Sequence, residues 1–279
     1  MKTYLQFTFE NIHQENNDIL IATLSDIGFE GFQEENGNLI GYADSANFNQ
    51  SHFDEFVSTY SLFYKMQIMP DVNWNNEWES NFHPIEVWDQ SKETILVYLR
   101  AEFHHANNNA KYDIIITPKM SFGTGHHATT YLMMEKMLQL NFTNKNVIDF
   151  GTGTGVLSIL AEKLGANKIL AIDNDDWSIQ NALSNIEANQ SKNISVQKAE
   201  ECFCDEVKTA ILLANINLNV IKDNILKIKE SLISGGEVLF SGILDENINE
   251  MRILLKENKF SNLETISKDG WLLIYALND

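Results

Sequence analysis

One segment constrains the fold more than any other: a glycine-rich stretch over residues 147–156 with the sequence VIDFGTGTGV. A short apolar strand runs directly into three alternating glycines, Gly151, Gly153 and Gly155, and an apolar helical pattern follows. Glycines at such a turn let the backbone bend tightly and approach a ligand closely. The segment therefore predicts a strand–loop–helix unit that binds a nucleotide-like ligand at one edge of a sheet.

The glycine spacing separates two kinds of ligand. The dinucleotide fingerprint G-x-G-x-x-G/A would require Gly or Ala where this chain has Val156, so a nicotinamide oxidoreductase is disfavoured. With Asp149 at the end of the strand, the segment takes the form D-x-G-x-G-x-G instead. Such a loop can hold the methionine end of S-adenosylmethionine. We therefore expect Gly151 and Gly153 to contact the cofactor, with the Asp149 carboxylate near its ammonium group.

Polar side chains follow two further apolar strands. Asp173 ends the next strand, 18 positions after Gly155, where an acid accepts hydrogen bonds from ribose hydroxyls. Asn215 ends a later strand and brings an amide, which both donates and accepts, to the same sheet edge. We expect Asn215 to contact the cofactor and to act in catalysis. Asn217 competes for this role, although capping the helix that follows is the better interpretation for it.

A second glycine loop, SFGTGHHATT over residues 121–130, precedes another predicted helix. We expect this loop to fold over the cofactor, with Thr129 or Thr130 donating hydrogen bonds and Phe122 forming part of the wall. His126 and His127 are adjacent, but neighbouring side chains point apart and no Cys or carboxylate stands at a useful offset. No metal site is therefore expected.

Composition limits the partners and the compartment. The chain of 279 residues carries 39 acidic residues against 20 Lys plus Arg, a formal net charge of −19. Such a surface disfavours direct nucleic-acid binding, which needs a basic patch to release counterions, and it suits a cationic partner or simple solubility. No secretory signal or membrane-length apolar run is visible, and Cys202 and Cys204 are expected to be reduced. We expect a cytoplasmic monomer that does not bind membranes.

Residues 1–70 predict a small α+β domain. Strand and helix patterns follow in the order β-α-β-β-α-β, which is the ferredoxin-like split arrangement. Within it, Asn36-Gly37 predicts a hairpin turn and Ser51 is expected to cap the second helix. Residues 71–93 read as a linker that carries an aromatic stripe, Trp74, Trp78 and Phe82.

Residues 94–279 predict the larger, α/β domain. Two strands, over residues 94–103 and 111–117, suggest an opening hairpin. Strands and helices then alternate to about residue 231, which indicates a parallel Rossmann-like sheet with helices on both faces. The last two strands meet across Asp269-Gly270, a hairpin signal. A parallel sheet that finishes in an antiparallel hairpin is typical of class I methyltransferases.

Along its whole length the chain resembles the PrmA family, the methyltransferases of large-subunit ribosomal protein eleven. The motifs that carry this resemblance are the FGTGHHATT loop, the glycine loop with its flanking strand, Asp173, Leu213-Ala-Asn-Ile216 and Ser241-Gly-Ile243. The family usually has Thr-His-Pro where this chain has His126-His127-Ala128.

The resemblance implies an S-adenosyl-L-methionine-dependent protein-lysine N-methyltransferase. Carried over by motif, the residues that contact the cofactor are Thr130, Gly151, Asp173 and Asn215. The small domain is expected to grip the ribosomal protein, and the larger domain to methylate its lysine side chains and α-amine.

Two alternatives stay open. A nucleic-acid N-methyltransferase usually carries Asn/Asp-Pro-Pro-aromatic where this chain has Asn215-Ile-Asn-Leu218, and the negative charge opposes it. A non-catalytic assembly factor that merely binds its partner fits the same sequence, and incorporation of methyl groups would distinguish the two.

Overall fold

A computed structural model describes residues 4–9, 20, 24, 27–35, 38–45, 48–60, 62–69, 83–89, 91–117, 128–203 and 208–279. The chain divides into two compact units, Met1–Asn81 and Phe82–Asp279. The Asn36-Gly37 turn, the Trp74/Trp78/Phe82 stripe and most of the second glycine loop, including Phe122, lie outside the described residues. Among the described helices, none combines the length and apolarity that crossing a membrane requires.

The first unit contains a four-stranded antiparallel sheet with the order β2-β3-β1-β4. Its described elements are β1 (Tyr4–Phe9), β2 (Phe29–Glu35), β3 (Asn38–Asp44), α1 (Gln50–Tyr60) and β4 (Tyr64–Met69). Alternation along β1 buries Phe7 and Phe9 against Phe53 of α1, with the ring centres of Phe7 and Phe53 4.6 Å apart. Leu20 and Leu24 join this core and Ile27 packs against it, and the residues between these three lie outside the described part of the chain.

The cap of α1 differs from the one we predicted. The helix begins at Gln50, and the Asn49 side chain accepts a hydrogen bond from the His52 N–H at 3.2 Å. Ser51 therefore lies inside the first turn. Asn and Ser are about equally good N-cap residues, so local sequence alone did not distinguish them.

The second unit opens with a three-stranded sheet, and here the predicted hairpin is wrong. Its strands are β5 (Ile85–Trp88), β6 (Ile95–Ala101) and β7 (Tyr112–Ile116). β6 and β7 pair in parallel, and the antiparallel partner of β6 is β5, which falls in the stretch that we predicted as linker. The loop over residues 102–111 makes parallel pairing possible, because at roughly 3.3 Å per residue it can return the chain to the start of β6.

The main sheet has seven strands in the order β10-β9-β8-β11-β12-β14-β13. Its strands are β8 (Asn146–Phe150), β9 (Lys168–Asp173), β10 (Ile194–Lys198), β11 (Thr209–Asn215), β12 (Leu232–Leu244), β13 (Phe260–Lys268) and β14 (Trp271–Asn278). The helices are α2 (Ala128–Met137), α3 (Val156–Lys163), α4 (Asp176–Ala188), α5 (Leu218–Ser231) and α6 (Ile248–Glu257). β8 to β12 pair in parallel, which confirms the predicted alternation, and β14 runs antiparallel between β12 and β13.

The sheet is buried on both faces. Successive residues of its central strands enter different apolar clusters, as Val147 and Ile148 of β8 do. From β8 the chain runs outward to β10 and then crosses back to β11. The strand order therefore reverses between β8 and β11, and open α/β sheets bind ligands at such a switch point, beyond the carboxyl ends of the strands.

Candidate active site

A cavity of about 500 Å³ opens at the carboxyl ends of β8, β9 and β11. Its described lining belongs entirely to the second unit. Five of the predicted site residues lie in the wall, and Trp271 lines it as well: Thr130, Gly151, Gly153, Asp173 and Asn215 are the predicted ones. The fold thus brings together residues that come from separate stretches of the chain.

The glycine loop is the base of the cavity. Gly151, Gly153 and Gly155 have φ angles of 78°, 53° and 79°, a backbone region that residues other than glycine rarely adopt. The N–H groups of Gly151 and Thr152 both donate to the Ile172 carbonyl, at 2.8 and 2.9 Å, and fasten the loop to β9. A Cβ atom at Gly155 would lie 3.3 Å from the Cβ of Ala182 on α4. The third glycine therefore permits close packing against a neighbouring helix.

Asp173 presents its carboxylate to the cavity from the end of β9. Oδ2 accepts from the Gly153 N–H at 2.9 Å, and Oδ1 accepts from the Asp175 N–H at 3.1 Å. These bonds orient the side chain and use about half of the acceptor positions of a carboxylate. The remaining positions suit two adjacent hydroxyl groups, as on a ribose.

Asn215 lines the same cavity from the end of β11. Its Nδ2 donates to the Thr130 hydroxyl at 3.4 Å, and its Oδ1 is buried with no hydrogen-bond partner among the described residues. A buried acceptor without a donor costs free energy, so a ligand N–H or O–H is the natural partner for it. Asn217 acts differently: its Oδ1 accepts from the Val220 N–H at 3.0 Å and caps α5, as we expected.

Asp149 does not take the position we predicted. It is completely buried, it is not part of the cavity lining, and its Oδ2 accepts hydrogen bonds from Thr152 Oγ1 and Ser158 Oγ, each at 2.7 Å. The carboxylate therefore holds the glycine loop and α3 together through these hydrogen bonds, whereas we had expected it beside a ligand ammonium group. Burial raises the pKa of Asp149 to about 6, although the bonds from Ser158 and Thr152 oppose the shift and the nearby charge of Asp173 adds to it.

Thr129 also lies away from the cavity. It is fully buried in the first turn of α2 and is not part of the described cavity lining, whereas Thr130 is. Of the two threonines that the sequence offered, the structure therefore favours Thr130. Among the described residues, no three His, Cys, Asp or Glu side chains come together to bind a metal ion.

Ile216 and Gly242 belong to motifs that carry the family resemblance but were given no role in the site, and both line the cavity. Gly242 has a φ angle of 82° and lies where the pairing of β12 with β14 shifts register, between Ser241 and Ile243. The available signal was a glycine inside an apolar strand, which marks a bulge or a close backbone approach.

The residues present fit S-adenosylmethionine. The glycines with positive φ angles suit an amino-acid end held by backbone groups, and the carboxylate of Asp173 suits the ribose. Oδ1 of Asn215, which has no partner among the described residues, is an acceptor available to a ligand in the same cavity. Together with the strand order, this site defines a class I S-adenosylmethionine-dependent methyltransferase.

Comparison with known proteins narrows the class to one family. Residues 11–278 match the family model of ribosomal protein L11 methyltransferase (PrmA), and the chain belongs to this family. The L11 methyltransferase of Porphyromonas gingivalis is 35% identical, over 96% of this chain and 95% of its own length. The L11 methyltransferase of Chlorobaculum parvum is 37% identical, over 96% of this chain and 94% of its own length.

A solved structure agrees with this assignment. The crystal structure of the ribosomal protein L11 methylase from Lactobacillus delbrueckii subsp. bulgaricus is 28% identical and superposes with a TM-score of 0.61. The match covers 70% of this chain and 98% of that one. The resemblance noted from the motifs is thereby confirmed.

Proposed function

We propose that this protein transfers methyl groups from S-adenosyl-L-methionine to ribosomal protein L11, at lysine ε-amino groups and at the N-terminal α-amino group. Its relatives bear the name of that activity. The observation that carries the proposal is the buried Oδ1 of Asn215, which has no hydrogen-bond partner among the described residues and lines the same cavity as the glycine loop and Asp173. An amine has N–H donors that match this acceptor.

The cofactor half of the cavity binds S-adenosylmethionine and orients it. S-adenosylmethionine, when bound, supplies an electrophilic methyl group on its sulfonium. The backbone at Gly151 and Gly153 holds its amino-acid end, and Asp173 accepts hydrogen bonds from its ribose hydroxyls. The Thr130 hydroxyl already accepts a bond from Asn215, so its own proton can be donated to the cofactor.

The amine half must supply a neutral nucleophile. A lysine amine has an ordinary pKa of about 10.4, and removal from water favours its uncharged form. Oδ1 of Asn215 accepts one N–H and so orients the lone pair, while Trp271 forms part of the wall. Alignment and exclusion of water provide the rate enhancement, and no strong base is required.

We further propose that residues 1–70 are a ferredoxin-like domain that recognises the protein substrate. The strand order β2-β3-β1-β4 supports the fold, and the location of the described cavity lining in the second unit leaves the first unit available for a partner. A net charge of −19 suits a basic ribosomal protein and opposes direct binding of nucleic acid. We propose a monomer in the cytoplasm that acts without a membrane.

The test is intact-mass analysis of purified L11 after incubation with the protein and S-adenosylmethionine. We expect stepwise mass increments of one methylene each, which peptide mapping assigns to lysines and to the N-terminus. The matched control is the same incubation with Asn215→Asp. An unmodified L11 in the presence of a cofactor-binding protein would overturn the proposal and favour a non-catalytic assembly factor.

A further inference from the structure

Ile216 packs between two glycines from separate parts of the fold: Gly151, in the loop after β8, and Gly242, in β12. A Cβ atom at Gly151 would overlap with Cγ2 of Ile216. A Cβ atom at Gly242 would lie 2.5 Å from the carbonyl oxygen of Ile216 and 2.8 Å from its carbonyl carbon. Both glycines also have positive φ angles, 78° and 82°. Neither position can therefore carry a side chain without displacing Ile216.

These contacts connect the two halves of the site. Gly151 begins the loop that holds the cofactor, and Asn215, which is to receive the amine, directly precedes Ile216. The backbone N–H of Ile216 donates to the Ser241 carbonyl at 3.1 Å, so its main chain is anchored to β12. Its side chain then touches the glycine loop from a fixed backbone.

We infer that Ile216 is a positioning residue that sets the separation between the cofactor loop and the Asn215 amide, and thereby the alignment of methyl transfer. The inference rests on the proposed function. In-line transfer needs the reacting atoms roughly 3–3.5 Å apart, and a displacement of about 1 Å can cost on the order of 100-fold in rate. Interiors are close-packed, so a single methyl group in van der Waals contact is enough to fix such a distance.

If Ile216 is a spacer, activity depends on whether a variant keeps Cγ2. If Ile216 only fills space, activity depends on side-chain volume. Ile216→Val keeps both γ carbons and loses Cδ1. Ile216→Leu keeps the volume but loses Cγ2, the atom that meets Gly151. A role in packing alone would rank the variants by activity in the order Leu, Val, Ala. A spacer role makes Val the most active variant and leaves both Leu and Ala impaired.

We test this with single-turnover methylation of L11 alongside calorimetric measurement of cofactor affinity. For Ile216→Val we expect turnover within about threefold of wild type; for Ile216→Leu and Ile216→Ala we expect at least about a tenfold loss, equivalent to roughly 1.4 kcal/mol of barrier. Affinity for S-adenosylmethionine should change by less than about threefold in all of them, because the loop keeps its own backbone hydrogen bonds.

Ile248→Ala is the matched control. Ile248 is also partly buried and packs against the same apolar cluster, but it lies outside the cavity. It should lose stability as Ile216→Ala does and keep normal turnover. Turnover that follows side-chain volume, with Leu better than Val, overturns the positioning role.

A second measurement does not depend on activity. Gly151→Ala brings a Cβ onto Cγ2 of Ile216, an atom that leucine lacks. Thermal unfolding of the two single variants and the double variant should therefore show coupling, with Gly151→Ala less harmful beside Leu. Additive effects overturn the spacer contact. A wild-type protein that transfers no methyl group to L11 overturns the proposed function instead.

Discussion

The carboxylate of Asp149 accepts hydrogen bonds from both the backbone N–H and the hydroxyl of Ser158, at 3.1 and 2.7 Å. Ser158 is in the first turn of α3, whose N-cap residue is Gly155 and offers no side chain. Asp149 therefore caps α3 from the neighbouring strand β8. A glycine at the cap leaves the loop free to approach a ligand, and the buried acid satisfies the helix terminus in its place.

The first prediction concerns pH. Burial raises the pKa of Asp149 to about 6 from an ordinary value of 3.8. Between these values the folded protein holds a proton that the unfolded chain has released, so the contribution of Asp149 to stability falls as pH rises. We expect the melting temperature of wild type, relative to Asp149→Asn, to decrease from about pH 4 to about pH 6 and then to level off. A difference that is the same at every pH would contradict the shifted pKa.

The second prediction concerns Asp173. Asp173→Ala removes an acceptor for ribose hydroxyls, and loss of hydrogen bonds to a charged group costs about 1.5–3 kcal/mol. Calorimetry should show cofactor affinity weakened by roughly ten- to 150-fold, with the protein still folded. Asp176→Ala is the control, since its exposed carboxylate pairs with Lys198 and lies outside the cavity lining. Equal affinities for wild type and Asp173→Ala would refute the ribose contact.

The third prediction concerns Asn215. Asn215→Asp should fold and bind the cofactor, but turnover should fall at least about tenfold, because the added charge holds the amine protonated. Raising the pH should restore part of the activity. Asn215→Ser should be impaired as well, since the serine side chain is too short for its hydroxyl to reach the amine. Asn167→Asp adds the same charge just before β9, away from the cavity, and should be active. Normal turnover of Asn215→Asp at neutral pH would leave Asn215 with a structural role.

The fourth prediction concerns the edge of the three-stranded sheet. Asn189, just beyond α4, exchanges two hydrogen bonds with the backbone of Ile115 in β7, as a neighbouring strand would. Asn189→Leu leaves the N–H and the carbonyl of Ile115 without these hydrogen-bond partners and should destabilise the protein by about 1–3 kcal/mol. The urea midpoint should fall without a change of slope. Ser184→Ala, on the exposed face of α4, should shift the midpoint far less.

The fifth prediction concerns the two units. A fragment of residues 82–279 contains the described lining of the cavity and all of β5, which pairs with β6. We expect it to bind S-adenosylmethionine with affinity within about threefold of the whole chain and to methylate intact L11 at least about tenfold more slowly. A folded fragment that methylates L11 at the full rate would show that residues 1–70 do not recognise the substrate.

Much of the site follows from sequence alone, because its signals are local. Alternating glycines after an apolar strand indicate a tight loop, and Asp173 and Asn215 each stand where an apolar strand ends. Parallel strands end at one edge of a sheet, so residues that are distant along the chain were predicted to meet there. The cap at Asn217 was likewise visible, since capping depends on the first turn of a helix.

Tertiary structure decided the features that depend on which distant segments pack together. The direction of Asp149 depends on α3 lying against β8, the parallel pairing of β6 with β7 depends on the course of the loop between them, and the wedge at Ile216 needs two remote glycines. Periodicity tells which residues share a face of a strand or helix, but it does not tell what that face will meet. The packing of α3 against β8 made Asp149 a buried helix cap, and packing between distant segments made Ile216 the contact between the two halves of the site.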